Sequence, residues 1–385
     1  MQEYNWTNPK ENKEKLKNTL INIVFLLFGG AIGFIIAAYF DAFMEPYIES
    51  STMFAFLLGV VGVFLIFIFS FLIHTVIHEA GHLVFGLLTG YSLTSYRIGP
   101  YILFKEEGKL KVKKYSLPGT AGQCLMVPPD MKDGKYPFVA YNAGGVILNL
   151  IVSIISIVVG LNVGFPFNAL LVGFSMVGLL SALTNGIPMK IGGVPNDAHN
   201  ILSIIKDEEA KRGFYIQLKT HELQSQGTRI KDMPLETFKL KENADLSNPL
   251  NTALRLIEYT WYLDNMDLEN AKKSIDSFRP YFNKIATMFK YEINCERMFL
   301  ELVGNCDRNL IDSLYDKNLK KYIKAARFMI SKKRLLMAYE AFYNNNKEKA
   351  MECYHELKEL ASDYPIKGES EMELMLANFI IEKLK

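Results

Sequence analysis

Three long stretches of this chain carry no Asp, Glu, Lys or Arg: Asn18 to Phe40, Ser50 to Ile77 and Tyr136 to Met189. A helix that crosses hydrocarbon needs about 20 consecutive apolar residues, so these runs predict membrane helices. The third run is long enough for two crossings, divided where Gly160, Asn162, Gly164 and Pro166 form a plausible turn. With 53–88 counted as one long span, four are expected, over about 19–40, 53–88, 138–160 and 167–188. The 385 residues leave room for about two domains. A net charge of +2 lacks the basic excess of a nucleic-acid binder, and no such partner is expected.

Charge asymmetry orients the spans. Lys10, Lys13, Lys15 and Lys17 precede the first run, and the next loop holds Asp41, Glu45 and Glu49 with no basic residue. Arg97, Lys105, Lys109, Lys111, Lys113, Lys114, Lys132 and Lys135 crowd the segment between the second and third spans. Basic loops stay cytosolic, so both termini are expected inside, in a multi-pass protein of a bacterial cell membrane. The 1–18 segment would be cytosolic, and the run behind it lacks a small-x-small cleavage site, as an uncleaved anchor does. Cys124, Cys295, Cys306 and Cys353 show no CxxC spacing and are expected as free, reduced thiols.

Inside the second span stands His78-Glu79-Ala80-Gly81-His82. On a helix, histidines at i and i+4 share a face and can hold one zinc, with the intervening Glu as general base. His78 lies about 15 Å from the end of the span near Leu88, below the membrane surface on the cytosolic side. Ionisable groups at that depth are costly and are functional by default. His74 continues the same face one turn earlier. It stands about 12 Å from His82 along the axis, too far to share one ion, and is expected to support the site or line its cavity. For a third ligand the best candidate is Asp197, at the end of a Gly- and Pro-rich segment (185–197) whose broken backbone can turn a carboxylate back toward the cavity. The same residues equally fit Asp197 as the N-cap of a helix over His199 to Ile205, and His199 is a rival ligand.

These motifs together resemble the site-2 protease family of intramembrane zinc metalloproteases, over about Met53 to Asn200. The resemblance is carried by His78, Glu79 and His82; by Asn142-Ala143-Gly144-Gly145 with Asn149; and by Asn185, Pro188 and Asp197, in that order. The family usually has Gly after the Asp, where this chain has Ala198. What the resemblance implies is one zinc per chain held by His78, His82 and Asp197, with Glu79 accepting a proton from a metal-activated water and passing it to the leaving amine. It implies cleavage in or near a transmembrane segment of a membrane-anchored regulator or a signal-peptide remnant. It also permits Asn149 or Asn185 as an oxyanion or substrate-binding donor, although buried asparagines serve equally as interhelical hydrogen-bonding groups.

Between the zinc-bearing elements, Tyr91 to Pro137 reads as a small β-hairpin insertion, either with an edge able to hold an extended substrate segment or as an ordinary amphipathic hairpin. From 201 onward the chain is charged and helical in pattern, with 201–249 expected as a polar connector. Over 250–385, Asn265, Asn305 and Asn345 recur at a 40-residue spacing, each between two helix-like segments. Stacked helical hairpins produce such a period, and the region is similar to tetratricopeptide repeats, with Ala350 and Tyr354 matching their consensus. It is expected to bind a cytosolic partner or the substrate's cytosolic part, or simply to stabilise the enzyme. The expected fold is mainly α: a polytopic membrane helix bundle of four spans with the hairpin insertion, followed by a soluble α-helical repeat domain. A rival reading is a non-enzymatic membrane adaptor acting through its repeats. A metal transporter is a third, but one HExxH and one Asp do not line a pathway.

Overall fold

The computed structural model describes residues 34, 37–49, 52–106, 109–115, 120–191 and 194–385. The 1–18 segment and most of the expected first span therefore lie outside the described residues.

Among the described residues, three helices are long and apolar enough to cross a membrane: α2 (Met53–Leu88), α3 (Phe138–Gly160) and α4 (Phe167–Gly186), preceded by α1 (residues 37–49). Hydrocarbon satisfies no backbone N–H or C=O, so an apolar segment in it closes all its hydrogen bonds internally, as a helix does. At 36 residues α2 is one unbroken helix. Its length is about 54 Å, well beyond the ~30 Å of a bilayer core. Large side chains such as Phe54, Phe64 and Phe69 stand exposed along it, a continuous apolar surface suited to lipid and not to water.

The chain divides into two compact units, and the divide falls inside α2, α3 and α4. One unit holds the described residues up to Gly81 together with Gly145–Thr184. Its core joins Tyr39, Phe43, Met44 and Val63. The Tyr39 hydroxyl donates to the Ala169 carbonyl at 2.7 Å. Gly173 permits that approach, since a Cβ there would come within 2.5 Å of the hydroxyl oxygen.

The other unit holds His82–Gly144 and Asn185–Lys385. The insertion is larger than the expected hairpin. Strands β1 (Ser92–Ile98), β2 (Tyr101–Glu106), β3 (Lys109–Lys114) and β4 (Gly122–Val127) form an antiparallel sheet in the order β3-β2-β1-β4. The fourth strand joins through buried Arg97, whose guanidinium donates to the carbonyls of Gly99 at 2.7 Å and Gly122 at 3.2 Å and to Thr120 Oγ1. Ile102 and Phe104, on the Arg97 face of the sheet, enter the core of the helical region.

After α4 a two-stranded turn, β5 (Lys190–Ile191) and β6 (Val194–Pro195), leads into α5 (Asp197–Lys206). The segment expected as a polar connector carries an 18-residue helix, α6 (Glu208–Ser225). Asp207 caps it by accepting from the N–H groups of Glu209 and Ala210, and Phe214, Ile216 and Leu218 are buried along it. Beyond lie α7 (Pro249–Asp264), α8 (Leu268–Asp276), α9 (Thr287–Val303), α10 (Arg308–Leu314), α11 (Lys317–Ala325), α12 (Ile330–Ala338), α13 (Lys347–Ser362) and α14 (Lys367–Leu384).

The three Asn-containing segments are turns between helices, and they share a geometry. Met266, Cys306 and Asn345 each take a positive φ, of 57°, 53° and 51°. Each is followed by a capping residue, Asp267, Asp307 or Asn346, whose side chain accepts backbone N–H groups of the next helix. Within the helical core Arg334 is held between Glu296 (2.9 Å) and Glu373 (2.6 Å), and Lys332 meets Glu292 at 2.6 Å. These pairs offset the cost of burying charge.

Candidate metal centre

His78, Glu79 and His82 are all buried on α2. Because α2 is unbroken, the helix itself sets the relation of His78 to His82, one turn apart on one face. His82 Nδ1 lies 2.8 Å from the Tyr141 carbonyl oxygen. A carbonyl only accepts, so Nδ1 carries the hydrogen and Nε2 keeps its lone pair, as metal-binding histidines require. That Nε2 stands 3.6 Å from Asp197 Oδ2. With His78 one turn back, the three residues bring one ligand atom each within 4.8 Å of one another. Tetrahedral zinc with bonds of about 2.0–2.1 Å separates its donors by roughly 3.4 Å, so two imidazoles and a carboxylate at these distances fit the ion with little movement.

Asp197 does not cap α5. The N-cap is Asn196, whose carboxamide oxygen accepts from His199 N–H at 2.9 Å and from Met189 N–H at 3.2 Å, while its Nδ2 donates to the Ile187 carbonyl at 2.6 Å. Asn196 thus ties down the turn that returns from α4, and Asp197, as the first residue of the helix, points its carboxylate at His82. His199, the rival ligand, is not among the three grouped donors. Its Nδ1 lies 3.2 Å from Ser203 Oγ, and burial, reinforced by the positive charge of Lys190, disfavours its protonation.

His74 is fully buried, with Nδ1 3.0 Å from Asn149 Oδ1 and Nε2 3.0 Å from the Phe174 carbonyl oxygen. Asn149 Nδ2 lies 3.0 Å from Ser181 Oγ and 3.4 Å from His78 Nδ1. The Asn149 carboxamide therefore sits between two histidines of α2. Asn185 stands half-buried in the last turn of α4.

The Tyr141 carbonyl and Gly178 escaped a residue-by-residue reading, and Gly145 was singled out without its packing role. The Tyr141 carbonyl acts through the backbone and leaves no side-chain signature. Gly145 and Gly178 make room for rings: a Cβ at Gly145 would lie 2.5 Å from His78 Cε1, and one at Gly178 would lie 2.2 Å from His74 Cε1 and 2.1 Å from Ser153 Oγ. The available signal was glycine inside an apolar helix, which marks close approach. Comparisons with protein-family models, curated proteins and solved structures find no match to this chain.

Proposed function

We propose that this protein is an intramembrane zinc metalloendopeptidase of the site-2 protease kind. The reading rests chiefly on the grouping of His78, His82 and Asp197 donor atoms within 4.8 Å, with both histidines on a helix apolar enough to cross a membrane. His78, His82 and Asp197 would hold one zinc. Bound there, zinc makes a water acidic enough to lose a proton near neutrality and polarises a carbonyl. Glu79, buried between the two histidines in sequence, accepts that proton and returns it to the departing amine. Helix carbonyls and N–H groups are tied up within a transmembrane substrate, so cleavage acts on a locally unwound segment. Cytosolic termini, a fourth span over about 19–40 and a bacterial membrane belong to the same proposal, as does partner or substrate binding by the helical hairpins of 250–385.

Glu79→Gln separates catalysis from metal binding. Full-length protein purified in detergent should carry one zinc per chain in both parent and variant. Cells with the variant should accumulate an uncut membrane-anchored fragment that the parent processes. Identical membrane-protein fragments in the two strains would refute the protease, and a parent without zinc would refute the metal site.

A further inference from the structure

Resting on the zinc reading above, we infer that His74 is a positioning residue which acts through Asn149 to fix the tautomer of His78. His74 is too far along α2 to bind the same ion as His82, yet it is fully buried in an apolar helix and both its ring nitrogens are engaged. A neutral imidazole has one donor and one acceptor nitrogen. Nε2 faces the Phe174 carbonyl oxygen at 3.0 Å, which can only accept, so the ring hydrogen is on Nε2 and Nδ1 is the acceptor. The Asn149 carboxamide is 3.0 Å from that Nδ1. Its two ends are alike in shape and differ only in their hydrogens, so the donor count assigns them: the Oδ1 and Nδ2 positions given above exchange, the amino end turning to His74 Nδ1 and the oxygen to Ser181 and His78.

After that exchange the Asn149 oxygen takes the position 3.0 Å from Ser181 Oγ and 3.4 Å from His78 Nδ1 that Nδ2 held. Accepting from both, it holds the His78 hydrogen on Nδ1 and leaves Nε2 as the lone-pair nitrogen. With the two ends left unexchanged, Nδ2 would donate to His78 Nδ1, the His78 hydrogen would sit on Nε2, and neither nitrogen would be available to a metal. The Phe174 carbonyl, His74, Asn149 and His78 thus form one chain of hydrogen bonds with a single consistent polarity. It does for His78 what the Tyr141 carbonyl, 2.8 Å from Nδ1, does directly for His82. The His74 link is held by close packing: Gly178 has no Cβ to meet the ring, and Ser153 Oγ donates to the Asn149 carbonyl at 2.7 Å.

The test is zinc affinity of full-length protein in detergent, by competition with a chromophoric chelator, for the parent, Asn149→Leu, Asn149→Asp, His74→Leu and His82→Ala. Asn149→Leu keeps the volume but removes the acceptor, and affinity should fall about 10- to 100-fold, as for other residues that orient a metal ligand. Asn149→Asp keeps an acceptor toward His78 and should stay much closer to the parent. His74→Leu should weaken zinc binding by less than Asn149→Leu, because Asn149 keeps its oxygen but loses the contact that aims it. A purely structural polar pair predicts that Leu and Asp at 149 behave alike and that His74→Leu binds zinc normally, and either result overturns the inference. The two substitutions at 149 decide the matter even if His74→Leu fails to accumulate. Zinc that His82→Ala abolishes, with all the others at parental affinity, would overturn the inference while leaving the zinc site standing. A parent that takes up no zinc would overturn the metal reading beneath it.

Discussion

Gly145→Ala puts one methyl group where the structure leaves space for a histidine. The new Cβ would lie 2.5 Å from His78 Cε1 and 2.7 Å from each ring nitrogen. Ordinary carbon contact is about 3.5 Å or more, so the ring or the helix must retreat by roughly 1 Å. Rotation in plane gives no relief, because three atoms of the ring face the methyl at similar distance and Nδ1 is engaged by Asn149. Overpacking of this kind costs about 1–3 kcal/mol. A displacement of about 1 Å at a reacting centre can lower rate about 100-fold. The matched control is Gly62→Ala on α2, where a Cβ would meet Phe43 at an ordinary 3.6 Å. Zinc competition and processing of the fragment that accumulates with Glu79→Gln should both fall sharply for Gly145→Ala and remain parental for Gly62→Ala, at equal yield. Parental zinc affinity in Gly145→Ala would show that His78 is not held against α3 as described, and would remove it from the ligand set.

Asn196→Ala should cost about 1 kcal/mol as a lost N-cap, read as a lower melting temperature. It should also weaken zinc binding, whereas Asn196→Asp should recover the cap but not the Nδ2 donor to the Ile187 carbonyl; zinc affinity unchanged in both would separate the turn from the site. In the helical region burial, with the negative charge of Glu373 adding to it, pushes Glu369 up to about 8 from an ordinary carboxyl value of 4.5. A carboxyl raised on folding binds a proton in the folded state that the unfolded chain has released, so stability declines as pH rises from about 4.5 to 8 and levels off above. Glu369→Gln should flatten that part of the melting-temperature profile and raise stability near pH 8; a parental profile in the variant would assign the slope to other groups.

Much of the architecture was legible because hydrocarbon and helix geometry act on local sequence. A charge-free run of suitable length has few options other than a helix, and α2, α3 and α4 are the result. The recurring turn was visible because each needs a residue in the left-handed region followed by a capping side chain, although Met266, Cys306 and Asn345 recur after 40 and then 39 residues, one short of the 40-residue asparagine spacing at the last turn. The sheet was only half visible. β1, β2 and β3 follow one another through short turns, but β4 pairs with β1 across an intervening segment, aided by Arg97 contacts that no periodicity reveals. Helix α6 was missed because its polar face dominates the local pattern, while its buried residues gain their partners from α7 and the sheet.

At the candidate site the division is sharper. His78, Glu79 and His82 are spaced by the helix on which they lie, so their common face follows from sequence alone. Asp197 could be read equally as a ligand or a cap until the fold assigned the cap to Asn196, because which of two adjacent polar side chains turns inward depends on where Ile187 and Met189 present their backbone groups. The identity of the donor nitrogens is further still from the sequence. A histidine's tautomer is set by whatever faces its other nitrogen, and for His82 and His78 those groups come from Tyr141 and Asn149, brought near only by the packing of helices distant in the chain.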